Sequence, residues 1–485
     1  MNIPTDDSGE SPARSPGDAA TVEVAESRLL RGRRLRPKLL TGNLSRTVLY
    51  LALPVLFEQF LSFLVGTCDI FLAGHLDPSI SKSATSAVGV AAYVGWLASM
   101  LFSLVGAGTT ALVARHWGAG QHAEANRIAN CSLTMALGLG LLSLCAIWPT
   151  ASFFPQQLGM DAETSTMTTH YLRFDAIGLV FTSLCIAGAA ALRGSGDMRT
   201  PMLIFGTVSV VNIFASVLLV YGLGPIPAMG VDGIVAGTVV ARFSGGVLLL
   251  FSLAWGHSGL GIILNELRVT AAIAKRILSI GLPAAIDSAI LWTGHFLFLK
   301  IISGLGSASF AAHMVGIRVE AITYLPAVAW GAAAATMVGQ SLGANQEERA
   351  VASGHHAVRQ CSVVGLTITV LFYFGAETIY RFMHNDPQVI EVGVPAFRIV
   401  ALFQVPLVIS IIYVAALRGA GDTRFPLLMT LLSTFGLRVP LAWFFAIHMQ
   451  WGLTGAWMGM CADMLVRSLM ATTRFVRQRW LKTVV

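Results

Sequence analysis

The chain has 485 residues, of which 55% are hydrophobic and only 12% are charged. Soluble globular domains carry about 25% charged residues, so this composition excludes a soluble enzyme or binding module and indicates a polytopic membrane protein. The net charge of +7 does not indicate nucleic-acid binding, because the basic residues lie mainly in the two tails and in short loops.

The first 45 residues differ from the rest of the chain. Ser, Pro, Gly and acidic residues come first, and the basic segment RLLRGRRLRPK follows over residues 28–38. Such a segment has too little apolar surface to form a core. We therefore expect a disordered, basic cytoplasmic tail over residues 1–45.

Twelve apolar stretches of about 20 residues follow, each long enough to cross a bilayer as a helix. Backbone polar groups in lipid must be hydrogen-bonded within their own element, and the alternating pattern of barrel strands is absent. We predict an all-α polytopic membrane protein with twelve transmembrane helices, centred near residues 60, 98, 138, 180, 211, 243, 289, 324, 363, 404, 437 and 464.

The distribution of Lys and Arg predicts that both termini are cytoplasmic. In that orientation the inside segments hold 23 of the 32 basic residues, whereas the outside segments hold two, Lys82 and Arg381. Basic residues favour the cytoplasmic side of a membrane. The predicted location is the cell (inner) membrane, as a multi-pass protein.

One short polar sequence occurs twice. ALRGSGDMRTP covers Ala191–Pro201 and ALRGAGDTRFP covers Ala416–Pro426, 225 residues later, with eight of eleven letters identical. Because each half then has six spans, both halves enter the membrane from the same side, an arrangement common in secondary transporters. We predict two parallel-repeat six-helix bundles, divided as an N-lobe (46–256), a cytoplasmic connector (257–274), a C-lobe (275–478) and a C-terminal tail (479–485).

Each copy of the repeated sequence is predicted to be a cytoplasmic elbow between two helices. Arg193 and Arg418 complement the dipole at a helix C-terminus, and Gly-x-Gly ends the helix. Asp197 and Asp422 are suited to cap the next helix. Two interpretations stay open, a structural turn without chemistry and a gate contact that forms when the inner side closes.

Ionisable residues inside the spans are candidate functional residues, because charges are costly in hydrocarbon. Glu58 and Asp69 in span 1 are eleven residues apart, about three helical turns, so we expect them to share a face, with Gln59 adjacent. Burial favours the protonated form of a carboxyl group, so Asp69 is suited to exchange a proton for a cationic substrate; the alternative is a helix cap. Asn212 and Ser216 share a face of span 5 and are suited either to relay a proton or to bond neighbouring helices.

The second half has further candidates for coupling to a cation or proton. Asp287 is the counterpart of Glu58, at the offset of 229 that relates spans 1 and 7. His295 lies in the same span and can exchange protons near neutral pH, although a histidine in an apolar helix is often only a packing residue. Glu320 lies in span 8 and needs a partner if it is charged.

These features together resemble the multidrug and toxic compound extrusion (MATE) family of transporters. The resemblance covers roughly residues 40–475. It is carried by GTCDIFLAGHL (Gly66–Leu76), by VARHWGAGQ and VGQSLGANQ at the ends of spans 2 and 8, and by the paired ALRGxGD. It implies alternating-access export of organic, often cationic, compounds in exchange for inward H+ or Na+, and the acid that the family carries in span 1 matches Asp69.

The chain departs from the family pattern at further acidic positions. NorM-type members have a Glu in span 7 and an Asp in span 10, where this chain has Leu291 and Leu407. DinF-type members have an Asn and an Asp four residues apart in span 5, where Asn212 is present but Ser216 replaces the Asp. Span 8 looks closer to the DinF-like branch. We therefore expect H+ coupling, with Na+ as the alternative.

No cofactor or metal site is predicted, because the six cysteines are isolated and no G-x-x-x-x-G-K-[ST] motif is present. The expected partners are small organic molecules and the lipid bilayer, with no nucleic acid and a monomeric protein. Two other functions stay open. A lipid-linked oligosaccharide or polysaccharide flippase of the same superfamily needs more cationic residues in the cleft, and a membrane-embedded enzyme needs a concentrated His/Asp/Ser constellation.

Overall fold

The computed structural model describes residues 39–77, 79–222, 225, 227–256 and 259–483. Most of the predicted N-terminal tail, residues 1–38, lies outside the described residues. Within them the chain forms helices and turns but no strand. Twelve helical segments, labelled α1 to α12, coincide with the twelve predicted spans. Their bounds are Leu44–Gly74, Ser81–Gly118, His122–Thr150, Ala162–Gly194, Arg199–Tyr221, Val231–Ala254, Ala271–Ser303, Ser307–Gly343, Glu347–Met383, Pro387–Ala401 with Gln404–Gly419, Arg424–His448 and Gly452–Val476.

Most of these helices are long and apolar enough to cross a membrane. Ten meet that condition alone, and the two parts of α10 meet it together across a bend of 52°. The segment α12 has 25 residues but is less apolar, because Asp463 and Arg467 lie in its middle. The structure confirms the predicted all-α polytopic architecture.

Side chains fix the starts of three helices. Asn43 accepts a hydrogen bond from the Arg46 N–H at 3.2 Å, and Asp161 accepts one from the Thr164 N–H at 3.1 Å. Asp386 does the same for α10, where Pro387 occupies the first turn. These caps satisfy backbone donors that have no partner within the helix. Hydrogen bonding to Thr164 lowers the pKa of the Asp161 carboxyl.

Helix α11 is irregular. It contains two π-helical segments, Thr434–Arg438 and Phe444–His448, on either side of Pro440. Proline has no N–H to donate to the preceding turn, and π-segments often occur at functional sites. The first π-segment places Arg438 on the inner face of the C-terminal half, where it is 3% exposed.

The packing of helices repeats between the halves. In the first half α1 packs on α5, α2 on α4, and α5 on α6, and in the second half α7 packs on α11, α8 on α10, and α11 on α12. The halves meet where α1 contacts α8 and where α2 contacts both α7 and α8. We call α1–α6 the N-lobe and α7–α12 the C-lobe.

Two glycines bring α2 and α8 together. A Cβ atom on Gly118 would overlap the backbone carbonyl of Gln340, and one on Gly343 would overlap that of Arg115. Gly118 and Gly343, like Arg115 and Gln340, are 225 residues apart. The repeat therefore supplies both sides of one contact, and the backbones approach closely because neither position has a side chain.

The hydrogen bonds between the lobes lie near this contact. Arg349 of α9 donates to the backbone oxygens of Leu39 and Gly42, and Arg276 of α7 bonds His116 of α2 at 2.7 Å. Across the part of the chain that is described, the inter-lobe hydrogen bonds are all at this end of the bundle, which also carries the two elbows. The lobes are therefore apposed at the elbow end.

The connector is bound to α3 at the same end. Asn126 donates to Glu266 at 2.9 Å and accepts from the Gly261 N–H at 2.7 Å, while Asn130 donates to the Gly261 oxygen at 2.9 Å. Partial burial raises the pKa of Glu266, and the Asn126 hydrogen bond opposes that rise. The described part of the connector thus follows the N-lobe surface before α7 begins.

Leucine at Gly118 should keep the lobes apart at the elbow end, because its side chain would occupy the position of the Gln340 carbonyl. We expect transport to fall to background in Gly118→Leu. Spin labels at the exposed positions Arg127 and Arg359 should report a longer inter-lobe distance. The control is Gly138→Leu, since a Cβ on Gly138 meets no atom within 4 Å. Equal distances in the two variants would contradict this account of the interface.

Candidate sites in the two lobes

Both elbows have the same backbone geometry. Gly196 and Gly421 have φ values of +90° and +91°, a region that favours glycine. Asp197 accepts hydrogen bonds from the Thr200 N–H at 3.0 Å and the Thr200 hydroxyl at 2.7 Å, so it caps α5. Asp422 accepts from the Phe425 N–H at 3.4 Å at the start of α11.

An arginine of each elbow forms an ion pair with the first helix of its lobe. Arg193 at the end of α4 pairs with Glu58 of α1 at 2.5 Å, and Arg418 at the end of α10 pairs with Asp287 of α7. The carboxylates are 6% and 2% exposed, whereas the arginines are 24% and 31% exposed. Sequence analysis identified all four residues but not their pairing. The sequence signal for the pairing is that the two arginines and the two acids recur at nearly the same offset, 225 and 229 residues.

The first elbow also contacts the opposite lobe. Thr336 of α8 donates to the Arg193 carbonyl at 3.0 Å, and Gln340 donates to the Gly194 carbonyl at 2.8 Å. Neither residue was singled out from the sequence. This elbow is therefore part of the closed lobe interface, which is the geometry that the gate interpretation requires.

The structure does not bring Glu58 and Asp69 into one site. Eleven residues correspond to about 16 Å along a helix, and Asp69 lies in the half of α1 away from the elbows. No residue of α1 between Glu58 and Leu72 is buried, so this segment contacts the rest of the protein less than the segment before Glu58 does. Gln59 is partly exposed and forms no hydrogen bond with the described residues.

Asp69 belongs to a charged cluster in the N-lobe. Its Oδ1 atom is buried and has no hydrogen-bond partner among the described residues, and it interacts electrostatically with Arg242 of α6 and Asp175 of α4. Arg242 donates to Asp175 Oδ1 at 2.8 Å. Gly178 leaves room for the Arg242 side chain, since a Cβ there would lie 3.0 Å from its Cδ. Arg242 is thus hydrogen-bonded to the Asp175 carboxylate and lies near that of Asp69 without bonding it.

Asn212 and Ser216 lie in the contact of α5 with α6, and both are buried. Asn212 donates to Thr238 at 3.1 Å, while its own Oδ1 and the Ser216 hydroxyl have no partner among the described atoms. A Cβ on Gly237 would overlap Ser216, so the close approach of the helices depends on that glycine. These polar groups lie in the same lobe as Asp69.

The C-lobe contains a second buried cluster, centred on Arg438. Arg438 pairs with Asp463 of α12 at 2.9 Å, and the two side chains are 3% and 0% exposed. It also lies 3.4 Å from His295 Nε2. A guanidinium only donates, so His295 Nε2 is the acceptor in this contact. Glu320 is 3% exposed, and its Oε1 has no partner within the described structure.

The two clusters differ in charge balance. Arg242 and Arg467 are equivalent in the repeat, but Arg467 donates to the Thr430 hydroxyl at 3.3 Å rather than to an acid. The C-lobe cluster has two arginines for the acids Glu320 and Asp463, whereas the N-lobe cluster has one arginine for two acids. The N-lobe cluster therefore has one more acid than arginines, whereas acids and arginines are equal in number in the C-lobe cluster.

Replacing one partner of an elbow ion pair should destabilise the protein more than replacing both partners. Arg418→Gln leaves the Asp287 carboxylate buried without its partner, so we expect a loss of about 3 kcal/mol in the free energy of unfolding. The double variant Asp287→Asn with Arg418→Gln should lose less free energy of unfolding, because neither charge of the pair remains. Thermal unfolding in detergent measures both.

The control for this cycle is Arg381→Gln. Arg381 and Glu377 form an exposed pair, with side chains 68% and 51% accessible, on one helix. Such a pair contributes about 0.5 kcal/mol. If Arg418→Gln lowers the free energy of unfolding no more than Arg381→Gln does, the elbow pairs do not stabilise the lobes.

Comparison with known proteins gives the family. The MatE family model matches residues 54–218 and 283–444, one segment in each lobe. The chain is 30% identical over 457 residues to "Probable multidrug resistance protein NorM" of Thermotoga maritima, covering 93% of this chain and 96% of the relative. It is 25% identical over 459 residues to "Multidrug resistance protein PmpM" of Pseudomonas aeruginosa, covering 93% of each.

Solved structures show the same fold. One is described as the outward-facing conformation of a multidrug resistance MATE family transporter of the MOP superfamily. Its TM-score to this chain is 0.82 at 21% identity, and the match covers 91% of this chain and 98% of the other. With the family match over both lobes, the chain belongs to the MatE family of membrane transporters.

Proposed function

We propose that the protein exports small organic compounds, many of them cationic, in exchange for inward protons, by alternating access of a cleft between its lobes. The relatives named as multidrug resistance proteins support this class of substrate. Both lobes are in one chain, so the cleft needs no second copy and a monomer suffices. Membership of the DinF-like branch stays a prediction.

The observation that carries the proposal is the charge balance around Asp69. Arg242 is hydrogen-bonded to Asp175, and the Oδ1 atom of Asp69 is buried without a donor among the described residues. An unpaired carboxylate is costly in a membrane interior. Either a proton or a cationic substrate removes that cost.

Competition for one carboxylate is sufficient for exchange. When Asp69 takes a proton, the charge that holds a cation is lost and the substrate dissociates. When a cation binds, the proton leaves. Transport in one direction follows if the two exchanges occur on opposite sides of the membrane, which alternating access provides.

The orientation that we propose places the elbows and both termini in the cytoplasm, as the excess of Lys and Arg there favours. The lobes are apposed at this end, so Asp69 lies in the half of the protein facing the outside. Protons arriving from outside then reach Asp69 and displace the bound cation outwards. Separation of Thr336 and Gln340 from the elbow carbonyls opens the inner side.

We propose H+ rather than Na+ as the coupling ion. A bound Na+ needs several oxygen ligands around it, whereas a proton needs one oxygen. The family positions that carry acids in spans 7 and 10 hold Leu291 and Leu407 here.

A flippase for pyrophosphate-linked lipids is less well supported. Such a substrate needs cationic groups that are free to bind phosphate. Arg193, Arg242, Arg418 and Arg438 each bond a carboxylate of the same lobe. The charges of these four arginines are therefore neutralised within their own lobes.

Asp69→Asn should abolish coupling without preventing folding. In everted vesicles we expect ethidium or norfloxacin to dissipate an imposed pH gradient with the wild-type protein but not with this variant. The matched control is Asp77→Asn, which removes an exposed carboxylate from the loop after α1. Wild-type rates in Asp69→Asn would reject the assignment of Asp69.

The coupling ion is tested in the same vesicles. An imposed pH gradient should drive ethidium transport, and an imposed Na+ gradient at constant pH should not. Transport driven by Na+ alone would overturn the proposed H+ coupling. Transport driven by neither gradient would favour the flippase.

A further inference from the structure

A basic cavity lies between the elbow-side ends of α11 and α12. It has a volume of about 310 Å³. Its lining includes three arginines together with aromatic, hydroxyl and apolar side chains, namely Arg474, Arg477, Arg479, Phe425, Thr473 and Leu469. None of these residues belongs to the charged clusters inside the lobes.

The chain folds back on itself to form this cavity. Gln478 has a φ of +56° and ends α12, and a 3-10 turn follows over Arg479–Lys482. Trp480 in that turn is fully buried, donates to the Phe475 carbonyl at 2.8 Å and stacks on the Phe475 ring. This anchor holds Arg479 beside the end of α12.

The cavity carries an excess of positive charge. Arg474 bonds Asp422 at 2.8 Å and lies over the ring of Phe425, 5.0 Å from its centroid. Arg477 and Arg479 are exposed, and neither forms an ion pair with the described residues. Two guanidinium groups are thus free to bind an anion, beside a third that is shared with the elbow.

An apolar stripe leads from the cavity along the membrane-facing side. Leu465 and Leu469 are 42% and 58% exposed and precede Thr473 and Arg477 at intervals of four residues, so all four share one face of α12. Leu428 and Leu432 are also exposed on α11, which packs against α12. A ligand that fits this surface has an anionic group at one end and apolar chains at the other.

The repeat indicates that the fold does not require these charges. At the offset of 225, Arg474, Arg477 and Arg479 correspond to Leu249, Ser252 and Ala254 in the N-lobe. The same helix end is therefore built there without arginine. The basic cavity is a property of the C-lobe alone.

We propose that this cavity binds the phosphate headgroup of an anionic phospholipid, with its acyl chains along the stripe between α11 and α12. Basic pockets at the ends of transmembrane helices recognise such headgroups. Phosphate oxygens accept hydrogen bonds from Arg477 and Arg479. Because Arg474 is shared with Asp422, a bound lipid also contacts the second elbow.

Native mass spectrometry of the detergent-purified protein tests this site. With equal amounts of phosphatidylglycerol and phosphatidylcholine of the same acyl chains, the wild-type protein should retain phosphatidylglycerol. Each arginine contributes roughly fivefold to affinity near an anionic lipid. Arg477→Gln with Arg479→Gln should therefore bind phosphatidylglycerol about 25-fold more weakly.

The matched control is Arg268→Gln with Lys275→Gln, which removes two exposed positive charges from the connector region at the same end of the protein. It should keep wild-type binding. Equal unfolding temperatures of the two double variants without lipid show that both are folded. Retained selectivity in the first, or equal loss in both, would overturn the proposal.

Inorganic phosphate separates a lipid site from a site for a soluble anion. We expect phosphate to leave the unfolding temperature of the wild-type protein unchanged, whereas phosphatidylglycerol raises it. An equal rise with phosphate alone would show that the apolar stripe is not used, and would overturn the assignment to a lipid.

Discussion

The arrangement of each lobe depends on one ion pair, between an acid in the middle of its first helix and the arginine that precedes its Gly-x-Gly elbow. Glu58 and Asp287 are nearly inaccessible to solvent, and a carboxylate in that position requires a counter-charge. Arg193 and Arg418 supply it from the ends of α4 and α10. The first helix is thereby fixed at its middle.

Asp69 lies in the half of α1 that follows Glu58, away from the elbows. The elbow that holds Glu58 also bonds α8 of the other lobe through Thr336 and Gln340. The contact that closes one end of the transporter and the ion pair of α1 therefore share Arg193.

The two lobes have the same fold but different electrostatics. Equivalent arginines at 242 and 467 meet an acid in one lobe and a threonine in the other. In the C-lobe Arg438 balances Asp463, whereas in the N-lobe Asp69 competes with Asp175 for Arg242. The two lobes thus share a scaffold, and the excess of acids over arginines lies in the N-lobe cluster.

The helices were predictable because each needs about 20 apolar residues, and the elbows because their sequence recurs. The partners of the buried charges were not predictable. The pairing of Arg242 with Asp175 depends on how α4 and α6 rotate against each other, and glycines such as Gly178 decide that rotation. Arg438 lies among apolar residues, and the π-segment that turns it inwards has no periodic signal in the sequence.

The same limit separates Asp69 from Glu58. Spacing along one helix places both residues on a face, but neighbouring elements decide which partner each one meets. Glu58 meets an elbow arginine, whereas Asp69 meets the edge of a cluster built from α4 and α6. Helix geometry thus predicts that Glu58 and Asp69 share a face, whereas tertiary packing determines which residues each one contacts.

Proton release on substrate binding tests the central claim, that one carboxylate holds either a proton or a cation. Ethidium is added to the purified protein in weakly buffered detergent solution, and the pH change is recorded. The account predicts proton release by the wild-type protein at a pH where Asp69 is protonated, and none by Asp69→Asn. Ethidium binding without proton release in the wild type, or equal release in Asp69→Asn, would contradict it.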